Sequence, residues 1–214
     1  MNVIMLGLPG AGKGTQAKFI AESQRIPHIS TGDLFRQAYQ DQTKLGILAK
    51  EYMSKGGLVP DDVTIGIALN RLEQADCEHG FLLDGFPRNI AQAISLREFL
   101  INKSSSVNHV IYVEVNEDVL VERLTGRRVC SKCGETYHII NNPPAQPGLC
   151  NTCWHPLIQR EDDSEDTVRE RLNVNKELTL RLCEFYNSEG TLRTVDGLRP
   201  MDEVTAQIKK VIGP

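Results

Sequence analysis

The sequence has no long hydrophobic run. No stretch approaches the ~18 apolar residues that a membrane-spanning helix needs, which argues against a helical membrane protein. It also lacks an excess of basic residues: Lys plus Arg total 24 against 28 Asp plus Glu, a formal net charge of −4. A mildly acidic chain is not built for bulk electrostatic binding of nucleic acid, although local basic clusters can still hold a small anion. Internal repeats and low-complexity tracts are missing. With 40% hydrophobic and 24% charged residues, the composition is that of a folded chain rather than a disordered one. The apolar N-terminus has no basic residue ahead of it and runs directly into Gly12-Lys13-Gly14-Thr15, so it does not read as a secretion signal. The expectation is a cytoplasmic protein, whose six cysteines serve as metal ligands or free thiols rather than disulfides.

What is present fits one compact unit of 214 residues with small insertions. Short apolar, β-branched runs predict strands over Val3–Leu8, Pro27–Ser30, Gly80–Asp84, His109–Val115 and Leu192–Asp196. Helical spacing predicts helices over Thr15–Gln24, Asp61–Gln74, Asn89–Ile101, Glu117–Leu124, Ser164–Tyr186 and Asp202–Ile212. Alternating strands and helices predict an α/β fold, a five-stranded parallel sheet covered on both faces. Two stretches break the rhythm. Residues 31–60 read as a helical insertion. Residues 127–163 read as a loop-rich or short-strand module, too small to hold itself together by apolar burial alone.

The first strand runs into Gly7-Leu-Pro-Gly-Ala-Gly-Lys-Gly-Thr15 and then into a helix. That is the context of a phosphate-binding loop. Glycines let backbone N–H groups converge on phosphate, the helix N-terminus adds partial positive charge, and Lys13 adds a full one. The usual Ser or Thr straight after the lysine is Gly14 here, which argues against direct Mg²⁺ ligation by a hydroxyl in this loop. The guanine-reading signature of regulatory GTPases is also missing, since Asn175-Lys176-Glu177-Leu178 lacks its aspartate.

Two further segments place an arginine just beyond a strand end, where open α/β sheets bind ligands: Ser30-Thr-Gly-Asp-Leu-Phe-Arg36 and Gly85-Phe-Pro-Arg88. Each could be a capped helix with a solvated arginine. Beside a phosphate loop, both suggest a second anion site. Cys130-x₂-Cys133 and Cys150-x₂-Cys153 form a strong zinc spacing, and four thiolates would close a tetrahedral, structural site. Two disulfides or four free thiols are the alternatives. Glu135, Glu161, Asp162 and Asp163 beside the module's arginines argue against a nucleic-acid-binding zinc ribbon.

Taken together, the segments at 7–16 (GLPGAGKGTQ), 28–36 (HISTGDLFR), 57–61 (GLVPD), 80–88 (GFLLDGFPR), 124–128 (LTGRR) and 159–163 (QREDD), with Thr167–Leu172, resemble the adenylate kinase family, in its bacterial long-lid, zinc-containing form. The resemblance spans nearly the whole chain. It implies a P-loop kinase fold with a core domain (1–30, 61–126 and 164–214), an AMP-binding domain (31–60) and a lid (127–163). It implies the reaction MgATP + AMP ⇌ MgADP + ADP, with Mg²⁺ carried by ATP and structural Zn²⁺ on Cys130, Cys133, Cys150 and Cys153. Gly10, Ala11, Gly12, Lys13, Gly14 and Thr15 would wrap the ATP phosphates, with Thr136, Tyr137 and the backbone near Arg199 also touching ATP. Thr31, Gly32, Arg36, Gly57, Leu58, Val59, Gly85, Phe86, Arg88 and Gln92 would hold AMP, Gln92 reading the adenine edge. Arg123, Arg127, Arg160 and Arg171 would converge on the phosphates once the lid shuts, and Asp84 would sit near Mg²⁺ through its waters. The family resemblance favours a monomer without nucleic-acid or membrane partners.

The resemblance leaves the donor base less constrained, so a kinase for another nucleoside monophosphate, or one using GTP, is the alternative. Three positions depart from the family pattern. Asn89 replaces a threonine and should still cap a helix. Asn141 replaces an aromatic in the lid. The segment Thr179-Leu-Arg-Leu lacks a proline.

Overall fold

The computed structural model describes residues 1–213. In chain order, β1 (Asn2–Leu6) leads through a glycine loop to α1 (Lys13–Gln24), followed by β2 (His28–Ser30), α2 (Thr31–Gln40), α3 (Lys44–Met53) and α4 (Asp61–Leu72). Then come β3 (Phe81–Asp84), α5 (Ile90–Asn102), β4 (His109–Glu114) and α6 (Glu117–Thr125). Three short strands follow, β5 (Arg127–Cys130), β6 (Thr136–His138) and β7 (Leu157–Ile158), before α7 (Glu165–Ser188), β8 (Leu192–Asp196) and α8 (Met201–Ile212).

The main sheet is parallel, in the order β2-β3-β1-β4-β8. β1 lies at its centre, where Ile4 pairs with Leu83 on one side and Val110 on the other. All five β1 residues are buried, as expected for a strand covered on both faces. Val3 and Met5 pack with Ala17 and Ile20 of α1, Leu120 of α6 and Ile208 of α8. Ile4 and Leu6 pack on the opposite face with Ala68 of α4, Leu96 of α5 and Leu182 of α7. The helices after β1 and β3 therefore lie on opposite faces. A crevice opens between the C-terminal ends of these two neighbouring strands, the place where doubly wound sheets take ligands.

Both departures from the βα rhythm are small units of their own. The 31–60 stretch is two packed helices whose close crossing depends on Gly46, since a Cβ there would overlap the backbone of Ala38 and Tyr39. Its core is Phe35, Ala49 and Val59. The 127–163 stretch is a three-stranded antiparallel sheet, β6-β5-β7, with Arg128 opposite Tyr137 and Val129 opposite Ile158. Most element ends differ from the sequence expectation by a residue or two, and two of these differences bear on the site. β1 stops at Leu6 rather than Leu8, because Gly7 turns the chain at φ 143°. α1 begins at Lys13 rather than Thr15, so Lys13 and Gly14 belong to its first turn.

Candidate active site

The glycine loop ends at Gly12, the N-cap of α1, which holds φ 94° and brings no capping side chain. The first-turn N–H groups of α1 are thus left for an anion. Lys13 folds over the loop, its Nζ donating to the carbonyls of Gly7 at 2.8 Å and Leu8 at 2.9 Å. Burial pushes its pKa down to about 8; Asp84 opposes this, while Arg88, Arg171 and Arg127 add to it. At Gly14, where a hydroxyl residue is usual, a Cβ would lie a tight 3.2 Å from Asp84 Oδ2.

Asp84 ends β3. Burial alone would raise its carboxyl, but His28 and Lys13 outweigh that and hold it below the ordinary carboxylate range. His28 Nε2 is 3.8 Å from Asp84 Oδ2, too far for a direct hydrogen bond, and this buried nitrogen has no other partner among the described residues. A carboxylate and an orphaned imidazole nitrogen beside a phosphate loop fit the hydration shell of a magnesium ion, which keeps several of its waters.

Facing the loop is a group of guanidinium side chains from separate elements. Arg88 Nε donates to Gly85 O at 2.9 Å, and the Thr31 hydroxyl donates to the same carbonyl at 2.8 Å. Burial, reinforced by Arg171, pushes Arg88 down to about 10; burial with Arg36 and Arg127 pushes Arg160 down to about 9. Guanidinium groups stay protonated at neutral pH, so these depressions describe buried cations short of compensating anions. Arg36 pairs with Asp33, which also lies 3.9 Å from Arg160. Arg171 Nη1 lies 3.0 Å from Asp162 Oδ2 and 3.1 Å from Asp163 Oδ1, and Arg127 also grips Asp163. Arg123 stands apart, its Nη2 donating to Gly197 O at 3.0 Å.

A cavity of about 880 Å³ joins the two sides. The four cysteines lie outside it, with their Sγ atoms all within 4.8 Å of one another. The short separations are 3.4 Å for Cys130–Cys153, 3.5 Å for Cys133–Cys153 and 3.6 Å for Cys133–Cys150. Tetrahedral Zn–S bonds imply an edge of about 3.8 Å. Backbone N–H groups of Lys132, Cys133 and Thr152 point at Cys130 and Cys150 Sγ, as suits thiolate acceptors. The residues fit a tetrahedral metal such as zinc.

The adenylate kinase family model matches residues 5–191. An adenylate kinase of Geobacillus sp. (strain WCH70) is 53% identical over 213 residues, covering 100% of this chain and 99% of that one. Those of Bacillus subtilis (strain 168) and Clostridium botulinum (strain Loch Maree / Type A3) are 53% and 52% identical, each over 100% of this chain, covering 98% and 99% of theirs. The chain belongs to the adenylate kinase family.

Most of the residues that the sequence resemblance puts forward line the cavity: Gly10 to Thr15, Gly32, Arg36, Gly57, Asp84, Gly85, Arg88, Arg123, Arg127, Thr136, Tyr137, Arg160, Arg171 and Arg199. Thr31, Leu58, Val59, Phe86 and Gln92 are not among its walls. Phe86 and Val59 are buried in apolar clusters. The Thr31 hydroxyl donates to Gly85 O, and the Gln92 amide uses one N–H on Asp61 and one oxygen lone pair on the Arg88 N–H. Tyr137 is committed to the core of the 127–163 module, with its hydroxyl 3.4 Å from Cys150 Sγ. The Arg199 side chain is half exposed and pairs with Asp196 and Glu203. Asp33, Asp162 and Asp163 hold the arginines of this adenylate kinase fold, a role the sequence does not reveal: Asp162 and Asp163 stand out there only as acids beside the module's arginines, and Asp33 only as part of the STGD segment. His28 was visible only as the first letter of its motif.

Proposed function

We propose that the chain catalyses reversible transfer of the ATP γ-phosphoryl group to AMP, MgATP + AMP ⇌ MgADP + ADP, in the crevice between β1 and β3. The observation that carries this reading is a single cavity with a glycine loop and Lys13 on one wall and Arg36, Arg88, Arg160 and Arg171 on another. Two anionic substrates can meet there end to end.

The AMP phosphate is already anionic at neutral pH, so no side chain needs to remove a proton from it. What the site must supply is in-line placement and fixed positive charge on the migrating group. Lys13 and the N–H groups of α1 take the ATP tail. Arg36 and Arg88 take the AMP phosphate, with Gly32, Gly57 and Gly85 lining that pocket and Thr31, Leu58, Val59, Phe86 and Gln92 behind its walls. Arg127, Arg160 and Arg171 bridge the two, exchanging their carboxylate partners for phosphate oxygens, and Arg123 joins them from α6. Arginine suits this work because its planar fork offers two parallel donors to one phosphate. Asp84 and His28 would reach the waters of a Mg²⁺ ion carried in with ATP, which would supply charge neutralisation on the ATP tail.

Residues 31–60 and 127–163 are the moving parts around the core formed by 1–30, 61–126 and 164–214. Closing them removes water, the competing nucleophile. Cys130, Cys133, Cys150 and Cys153 would hold Zn²⁺, which would supply the folding free energy that keeps the lid together. Among the described residues no helix is long and apolar enough to cross a membrane. The enzyme is read as a cytoplasmic monomer that works on free nucleotides.

³¹P NMR of ATP, AMP and Mg²⁺ with the protein tests the proposal: ADP resonances grow at the expense of both substrates. Failure to form ADP would overturn it, and faster transfer to GMP or from GTP would move the assignment to a different base.

A further inference from the structure

We propose that Asp61 is a positioning residue that sets the enzyme's choice of base, by locking the direction in which the Gln92 amide faces. This rests on Gln92 as the reader of the AMP base.

A glutamine amide is an ambiguous reader of purines. Its oxygen can accept from the adenine 6-amino group while its nitrogen donates to N1. Turned by half a rotation, the same amide donates to O6 of hypoxanthine and accepts from N1–H. A free glutamine therefore favours neither AMP nor IMP by hydrogen bonding alone. Selectivity needs something that forbids the turn.

The structure holds such a device. Gln92 is 1% exposed. Its Nε2 donates to Asp61 Oδ1 at 2.7 Å, and its Oε1 accepts from the Arg88 backbone N–H at 2.8 Å. A carboxylate can only accept and a backbone N–H can only donate, so the two flanks demand the same orientation. The turned amide would place its oxygen against a carboxylate and its NH₂ against an N–H. It would lose two hydrogen bonds, one of them charge-assisted. In the locked orientation one N–H and one oxygen lone pair remain, the complement of adenine N1 and its amino group.

Asp61 is itself fixed. Asn89 Nδ2 donates to both carboxylate oxygens, at 2.8 and 3.0 Å, while Asn89 Oδ1 caps α5 by accepting from Gln92 N at 3.0 Å. Asn89 thus ties the first turn of α4 to the start of the helix that carries Gln92. A threonine at 89 could supply the cap but not the amide donor to Asp61.

The test is Asp61→Asn, which keeps the side chain's size but offers Gln92 either a donor or an acceptor. kcat/KM is measured with AMP and with IMP, alongside KM for ATP. The AMP-to-IMP ratio is expected to fall by about tenfold or more, chiefly through KM of the monophosphate, with KM for ATP unchanged. An unchanged ratio in a folded variant would overturn the inference, because a merely structural role would lower both activities together. If Asp61→Asn does not fold, Asp61→Ser carries the same test, since a hydroxyl also donates or accepts. Failure of the wild-type protein to make ADP from ATP and AMP would instead count against the proposed activity.

Discussion

The Asp163 carboxylate, wholly buried, receives the Arg127 guanidinium, with Nε at 2.8 Å from Oδ2. Arg171 adds a third donor at 3.1 Å. Without nucleotide this anion, with Asp162 beside Arg171, offsets two cations of the transfer site, an arrangement a phosphate can later replace. Asp163→Asn removes the charge and leaves two buried guanidinium groups short of it. Breaking a buried pair this way costs about 3–5 kcal/mol, a fall in Tm of roughly 10 °C for a chain of this size. Saturating ADP should restore part of the loss, because its phosphates supply the missing anion. Scanning calorimetry with and without ADP checks both. An unchanged melt in the free variant would show that the arginines do not depend on Asp163.

Arg88 lies where the second anion site meets the phosphate loop, anchored by its own Nε on Gly85 O at 2.9 Å. That bond leaves its terminal nitrogens for phosphate. Arg88→Ala is expected to lower kcat/KM by about 10³-fold while circular dichroism stays that of the parent. Arg88→Lys should recover little, since an ammonium is a point donor without the planar fork that keeps Nε on the carbonyl while offering one phosphate two parallel bonds. Transfer at parental rates in the alanine variant would remove Arg88 from the reaction.

Much of this arrangement is legible in the sequence wherever the signal is local. The β1–loop–α1 unit announces itself within fifteen residues, and the cysteine spacing places the four-cysteine cluster without reference to the rest of the chain. What stays hidden is pairing between distant positions. Asp33 beside Arg160, Lys18 with Glu135 at 2.9 Å, and Lys50 with Glu161 at 3.2 Å join segments more than a hundred residues apart. No periodicity encodes such contacts. The fate of Phe86 and Val59 is hidden for a related reason. A motif names a residue near a ligand, but only packing decides whether its side chain faces the cavity or the core.

Lys13 gives the site a pH signature. Its folded pKa of about 8 lies below the ordinary 10.5 because burial penalises the ammonium. Between these values the unfolded chain binds a proton that the folded chain does not, so this group's contribution to stability rises with pH across that window; below about 8 the full cost of the buried charge is present. A bound polyphosphate restores the proton. ADP affinity should therefore weaken as pH rises through about 8, with uptake approaching one proton at about pH 9 and much less at about pH 7.5. Titration calorimetry in buffers of different ionisation enthalpy measures that uptake. No difference between the two pH values would mean that Lys13 is charged before the nucleotide arrives.

The lid is the part of the chain least able to stand on its own. Its apolar cluster consists of Cys130, Tyr137 and Cys150, with Cys153 and Leu157 at the edge. Three of those five side chains belong to the four-cysteine cluster, so removing a metal from it takes away the centre of the lid's core. Metal binding in small modules of this kind supplies folding free energy directly. Chelation should lower the melting temperature, and hydrogen exchange should show residues 127–163 losing protection before β1 and β4 do. Cys150→Ser should reproduce both effects without chelator. Transfer activity should fall in parallel, because Arg127 and Arg160 are carried by the same segment. A melt unchanged after metal loss verified by elemental analysis would show that the four cysteines hold the lid as thiols, and that its stability comes from the β6-β5-β7 sheet alone.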